Sequence, residues 1–150
     1  MVVIGAGPPC QGVSGLNSDR KGALRDERSC LFKEVPRVRQ LVQQAFPWCP
    51  VHVMMESVSS MDAADRKAMS QGYEGEPLYC DAGTMTWCHR PRLYWISWEV
   101  EPGEGAEWDA TGEILTLKLV GHQDITEVIR AGWHKEDEDR AFPTFTTSRP

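Results

Sequence analysis

Val2-Val3-Ile4-Gly5-Ala6-Gly7-Pro8-Pro9-Cys10 is the stretch on which the reading of the whole chain turns. Val2 to Ala6 is short, apolar and β-branched, and Gly7-Pro8-Pro9 interrupts it, so the pattern is a buried strand that ends in a rigid loop. Cys10 then stands just past the strand's carboxyl end. In open α/β sheets that edge is where ligands bind, which raises the interest of a cysteine that would otherwise read as a small core residue.

Downstream of that loop, Gln11 to Arg28 opens with glycines and serines and becomes polar, the pattern of a long exposed loop. From Ser29, expected to cap a helix, Leu31, Phe32, Val35, Val38, Leu41, Val42 and Ala45 recur at helical spacing as far as Phe46-Pro47, giving one apolar face. Pro36 falls inside this run, where it removes a backbone donor, so a kink or a later helix start is expected. Val51 to Val58 predicts a second strand, Asp62 to Gln71 a short helix stopped by Gly72, Leu78 to Asp81 an edge strand, and Arg92 to Trp98 a strand rich in aromatics. Glu99 to Glu113 carries six acids and no base and reads as a linker, followed by a strand over Ile114 to Val120 and a helix over Ile125 to Ala131.

With 41% hydrophobic and 25% charged residues among 150, the chain has the balance of a folded domain, which excludes disordered and collagen-like classes. Apolar runs are too short to cross a bilayer and Met1 opens no signal peptide, so an intracellular protein without a membrane partner is expected. Five cysteines without CxxC spacing point to reduced thiols; Cys80, Cys88 and His89 lack metal-ligand spacing, and no metal is expected. The net charge of -6 argues against a uniformly basic nucleic-acid surface, yet between Ser18 and Arg39 seven basic residues stand against four acids.

Glu56-Ser57-Val58 closes the second strand and Arg90-Pro91-Arg92 opens a later one. A thiol, a carboxylate and two guanidiniums are therefore expected to converge on one sheet edge. Taken singly, each has a plain structural reading: a buried thiol, a surface carboxylate, arginines in salt bridges. A thiol hydrolase pairing Cys10 with His52 or His89 is a different chemical class and needs a histidine beside the thiol.

In this order and spacing the residues resemble the cytosine-5 DNA methyltransferases, whose signature segments include a Pro-Cys loop, Glu-Asn-Val and Gln-x-Arg-x-Arg. Gly7-Pro8-Pro9-Cys10-Gln11-Gly12-Val13-Ser14-Gly15-Leu16-Asn17 looks like the catalytic loop. Arg20-Lys21-Gly22, Leu31-Phe32 and His89-Arg90-Pro91-Arg92-Leu93-Tyr94-Trp95 are closest in pattern to the animal de novo branch. The resemblance covers residues 1 to 98, and Phe142 to Pro150 weakly resembles a segment of the target-recognition region. Two positions depart from the pattern: Ser57 stands where Asn is usual, and Cys88 where Gln is usual.

The resemblance implies an α/β fold, specifically a partial Rossmann-like S-adenosylmethionine-dependent methyltransferase fold lacking its first strands, plus the start of a small target-recognition region. Residues 1–98 would be the partial catalytic domain, 99–113 an acidic linker and 114–150 the start of the recognition region. It implies methyl transfer from S-adenosylmethionine to carbon 5 of cytosine in DNA, with Cys10 adding covalently to carbon 6. Glu56 would act on ring nitrogen 3 and the exocyclic amine, and Arg92, with Arg90 beside it, would hold the intermediate electrostatically. The partner would be double-stranded DNA with a flipped cytosine, met by Gln11, Ser14, Arg20, Lys21 and Arg25. Pro9 and Leu31 match family positions that pack near the donor. The family's glycine-bearing donor loop and its acidic partners have no counterpart here, so the chain is expected to be a fragment or half of a split enzyme completed by a complementing chain. The alternative is a catalytically inactive methyltransferase-like module that binds DNA or protein. Location would be nuclear in a eukaryote and cytoplasmic in a bacterium.

Overall fold

In a computed structural model of the chain, the described residues are 1–15, 24, 29–73, 75–84, 88–101, 106–110, 114–117 and 142–143. They form an α/β arrangement around a mixed six-stranded sheet. In chain order the elements are β1 (Val2–Ala6), α1 (Glu34–Ala45), β2 (Val51–Val58), α2 (Ala63–Tyr73), β3 (Leu78–Asp81), β4 (Cys88–His89), β5 (Pro91–Ile96), β6 (Glu107–Trp108), β7 (Leu115–Leu117) and β8 (Phe142–Pro143). The large sheet runs β1-β2-β5-β3-β7-β6, and β4 pairs with β8 in a separate two-stranded ladder. β1 lies parallel to β2, and β5 runs antiparallel between β2 and β3. The expected helix over Ile125 to Ala131 lies outside the described residues.

β2 shows why the sheet has one dominant face: Val51, Val53, Met55 and Ser57 are buried while the residues between them are not, the period of two that a pleated strand imposes. Across the ladder Met55 sits opposite Trp95 and Ser57 opposite Leu93, and Met55, Trp95, Leu93, Met69, Phe32 and Val13 belong to one core cluster. α2 is seated on this face by Trp95, whose indole N–H donates to Ser70 Oγ at 3.1 Å. Tyr73 packs beside it with ring centroids 6.4 Å apart, and burial pushes its phenol pKa well up. Asp62 caps α2, its Oδ1 accepting from Asp65 N at 2.8 Å.

Several local expectations need correction. Val2 to Ala6, read as a buried strand, is the sheet's edge strand β1, and none of its residues is buried. Ser29 does not cap a long helix. It opens a 3-10 turn, Ser29–Lys33, and its Oγ instead accepts from Gly12 N at 3.0 Å. The later helix start expected from Pro36 is found: α1 begins at Glu34, which puts Pro36 in the first turn, where a missing N–H leaves no intrahelical bond unmade. The apolar face of α1 is not turned to the core: Val35 is buried, but Val38 and Leu41 are 37% and 50% exposed. α2 continues through Gly72 to Tyr73. Finally, β3 is an interior strand, held between β5 and β7, not an edge.

Candidate active site

The carboxyl ends of β1, β2 and β3 share one sheet edge, and β5, being antiparallel, begins there. The loop after β1 carries Cys10, the end of β2 carries Glu56, and Arg92 is the second residue of β5. Arg92 lies opposite Val58 on one side and Cys80 on the other, so it occupies the middle of this edge. Its Nε stands 2.5 Å from Glu56 Oε1. The N–H is not aligned for a hydrogen bond, which makes this an ionic contact; the same guanidinium donates through Nη1 to Pro91 O at 2.8 Å. The other Glu56 oxygen faces the β1 loop: a Cβ placed on Gly7 would lie 3.5 Å from Glu56 Oε2. Glu56 thus spans from the strand bearing Arg92 to the loop bearing Cys10.

The Cys10 loop is fixed from within and from below. Cys10 O accepts from Val13 N at 3.0 Å and Ser14 N at 2.8 Å, closing a tight turn. Val13 is fully buried and anchors that turn in the core, against which Cys10 packs half-buried. Gly12 N donates to Ser29 Oγ and Gly15 N to Ser60 Oγ, both at 3.0 Å, so the loop is tied to the 3-10 turn and to the end of β2. Gln11 is exposed and Ser14 half-buried at its start. Arg20, Lys21 and Arg25 lie outside the described residues.

Arg90 is exposed, and its backbone, not its side chain, shows how it is placed. Asp81 Oδ1 accepts from Arg90 N at 2.8 Å and from Gly83 N at 2.9 Å, while Oδ2 contacts His89 Nδ1 at 2.9 Å. Burial alone would raise the Asp81 carboxyl, but the hydrogen bonds from Gly83, His89 and Arg90 outweigh it and hold the pKa below the ordinary value. Gly83 is required by this packing, since a Cβ there would sit 2.8 Å from His89 Nδ1. Asp81 was not among the residues singled out from the sequence. Its signal was the Asp81-Ala82-Gly83 spacing, in which an aspartate side chain accepts from the N–H two residues on. Around Arg92, burial and then the Asp81 charge push the Cys80 thiol up, and burial followed by Glu56 raises the Tyr94 phenol despite the offsetting arginines.

Neither histidine is placed to serve the thiol. His52 lies opposite Val3, toward the far end of β2, and packs edge-on against Trp98 with centroids 6.0 Å apart. His89 is engaged by Asp81 at β3, and three strand spacings of about 4.8 Å separate β1 from β3. Among the described residues no group of three His, Cys, Asp or Glu is placed to hold a metal ion. None of Cys10, Cys30, Cys49 and Cys80 forms a disulfide.

Pro9 is exposed and Leu31 is 44% exposed. Both offer only apolar contact, so by themselves they do not make a site for a nucleoside-bearing sulfonium. No model of a known protein family matches the chain. Among the described residues, no helix is long and apolar enough to cross a membrane.

Proposed function

We propose that the chain is the cytosine-engaging part of a DNA cytosine-5 methyltransferase, in which Cys10 adds to carbon 6 of a cytosine flipped out of double-stranded DNA. The observation that carries this reading is the meeting of a pinned thiol loop, Glu56 and Arg92 at one sheet edge, with Glu56 in contact with Arg92 and its other oxygen beside Gly7 of the loop.

Thiolate addition to carbon 6 turns carbon 5 into an enamine carbon that accepts a methyl group. Glu56 holds a proton at ring nitrogen 3, which takes up the electron density that addition delivers. Arg92, with Arg90 beside it, faces the negative charge that develops on the base's carbonyl oxygen and that of the sugar-phosphate. In the free protein Glu56 leans on Arg92; base binding exchanges that ionic contact for one with the ring. Gln11 and Ser14, and further along the loop Arg20, Lys21 and Arg25, meet the DNA backbone. The β4–β8 ladder brings Phe142–Pro143 beside Cys88–His89, next to Arg90, which supports a recognition segment lying against this edge. S-Adenosylmethionine would supply the methyl group when bound, and Pro9 and Leu31 would offer it apolar contact. On this reading the protein works inside the cell, in the nucleus of a eukaryote or the cytoplasm of a bacterium.

Because Pro9 and Leu31 are both exposed, a second reading has specific support: a catalytically inactive methyltransferase-like module that binds DNA or protein. Incubation with S-adenosylmethionine and duplex DNA containing 5-fluorocytosine separates the two. A denaturant-resistant adduct that disappears in Cys10→Ala supports the enzyme; duplex binding without an adduct, even with a complementing donor-binding half added, supports the module.

A further inference from the structure

α1 faces the sheet with the wrong residues for simple packing. The stripe that borders the cavity above β2 and β5 is Arg39, Gln40, Gln43 and Gln44, one turn after Pro36 and one before Pro47; these residues are solvent-exposed at its mouth, as are Val38, Leu41 and Phe46 on the helix. Polar side chains at i, i+1, i+4 and i+5 share one side of a helix. In place of a packed interface there is a cavity of about 630 Å³ between α1, the end of α2 and the sheet. Interiors close-pack to exclude voids of this size, whereas ligand pockets span about 300–1,000 Å³. It lies at the end of β2 and β5 marked by Val53 and Ser97, away from Cys10, Glu56 and Arg92.

The lining chemistry selects a ligand. Val53 and Trp95 form an almost fully buried floor, with Tyr73 beside them. The polar atoms of the aromatic pair are already used: Trp95 Nε1–H donates to Ser70 Oγ and Tyr73 OH donates to Phe32 O. The floor therefore presents carbon surface. On the opposite wall, Arg39, Gln40 and Gln44 have no hydrogen bond or ion pair with any described residue. A guanidinium matches a carboxylate or phosphate as a planar fork, and carboxamides donate and accept at once. We propose that this cavity binds a heteroaromatic anion, its ring against Val53, Trp95 and Tyr73, its ring heteroatoms on Gln40 and Gln44, and its charge on Arg39. The site is independent of the methyltransferase reading.

Two probes carry this chemistry from different sources: quinoline-2-carboxylate, an aromatic acid, and adenosine 5′-monophosphate, a nucleotide. Each is titrated into the full chain by calorimetry, with neutral quinoline as the uncharged comparison. Saturable one-to-one binding is expected for at least one anion, and the one that binds identifies the source. Arg39→Gln should weaken it about tenfold or more, as loss of one charge-assisted hydrogen bond predicts, and Gln44→Trp, which fills the cavity from an exposed position, should abolish it. Circular dichroism checks that both variants fold. Absence of saturable binding by either anion, or binding that both folded variants retain undiminished, overturns the proposal.

Discussion

Arg92 Nε lies 2.5 Å from Glu56 Oε1, across the ladder from β5 to β2, with the two side chains 21% and 33% exposed. A carboxylate and a guanidinium this near to solvent hold one another in place without contributing much to stability. Their value is positional: the contact fixes both on the face of the sheet edge that the Cys10 loop borders. In a double-mutant cycle of Glu56→Gln and Arg92→Met, coupling of about 0.5–1 kcal/mol is expected in urea unfolding. Additive effects would show that the contact orders nothing.

Ser29 does for the Cys10 loop what it was expected to do for a helix. Ser29→Ala removes the acceptor for Gly12 N in a buried setting, with an expected cost of about 1–3 kcal/mol. The loosened turn should also expose its thiol. Alkylation of Cys10, followed by peptide mapping, should speed up several-fold relative to Cys49; an unchanged ratio would mean that Val13 and the Gly15–Ser60 bond hold the loop without Ser29.

Strands and faces were the legible part of this fold, partners the illegible part. Val2 to Ala6 and Val51 to Val58 both announce themselves as strands by their β-branched residues, but only Val51 to Val58 buries a face, as the pleat predicts, whereas Val2 to Ala6 is a half-exposed edge. The meeting of Cys10, Glu56 and Arg92 at one edge was legible too, since each follows or opens a strand. What local pattern does not contain is who sits next to whom. Leu78 to Asp81 is short and ends in a charge, which suggests an edge, but pairing to β7 at Leu115 makes it interior. The apolar spacing of α1 shows that a face exists without showing which way it turns. Asp81 was overlooked because its contacts with Gly83, Arg90 and His89 are formed with backbone and with a histidine that its own side chain gathers.

Asp81 gives a pH signature. Its folded pKa is lowered, so its contribution is fully present above the unfolded aspartate value of about 3.9 and is lost as pH falls through the folded value. The stability difference between the native chain and Asp81→Asn should therefore be constant near neutrality and shrink in acid below about pH 4. Urea midpoints across pH 2.5 to about 7 provide the check. A difference that persists unchanged to the acid end would mean that hydrogen bonding without charge accounts for it.

Ser57 occupies the place where the resembled family has asparagine, and its Oγ is buried without a hydrogen-bond partner among the described residues. A buried hydroxyl in that state costs stability. Ser57→Ala is expected to raise stability by up to about 1 kcal/mol in thermal or urea unfolding. A loss of similar size would show that the hydroxyl is satisfied in solution.

The most direct test of the account asks whether Cys10 is a nucleophile toward a pyrimidine, separately from the methyl donor. Pyrimidin-2-one lacks the exocyclic amine of cytosine, which makes its carbon 6 more electrophilic and lets a thiolate add without methyl transfer. Duplexes carrying this base in varied flanking sequence would be incubated with the chain and the products mapped by mass spectrometry. The account predicts a single adduct, on Cys10, that is lost in Cys10→Ala and strongly reduced in Glu56→Gln. No adduct on a folded chain that binds the duplex, or adducts spread equally over Cys30, Cys49 and Cys80, would contradict it.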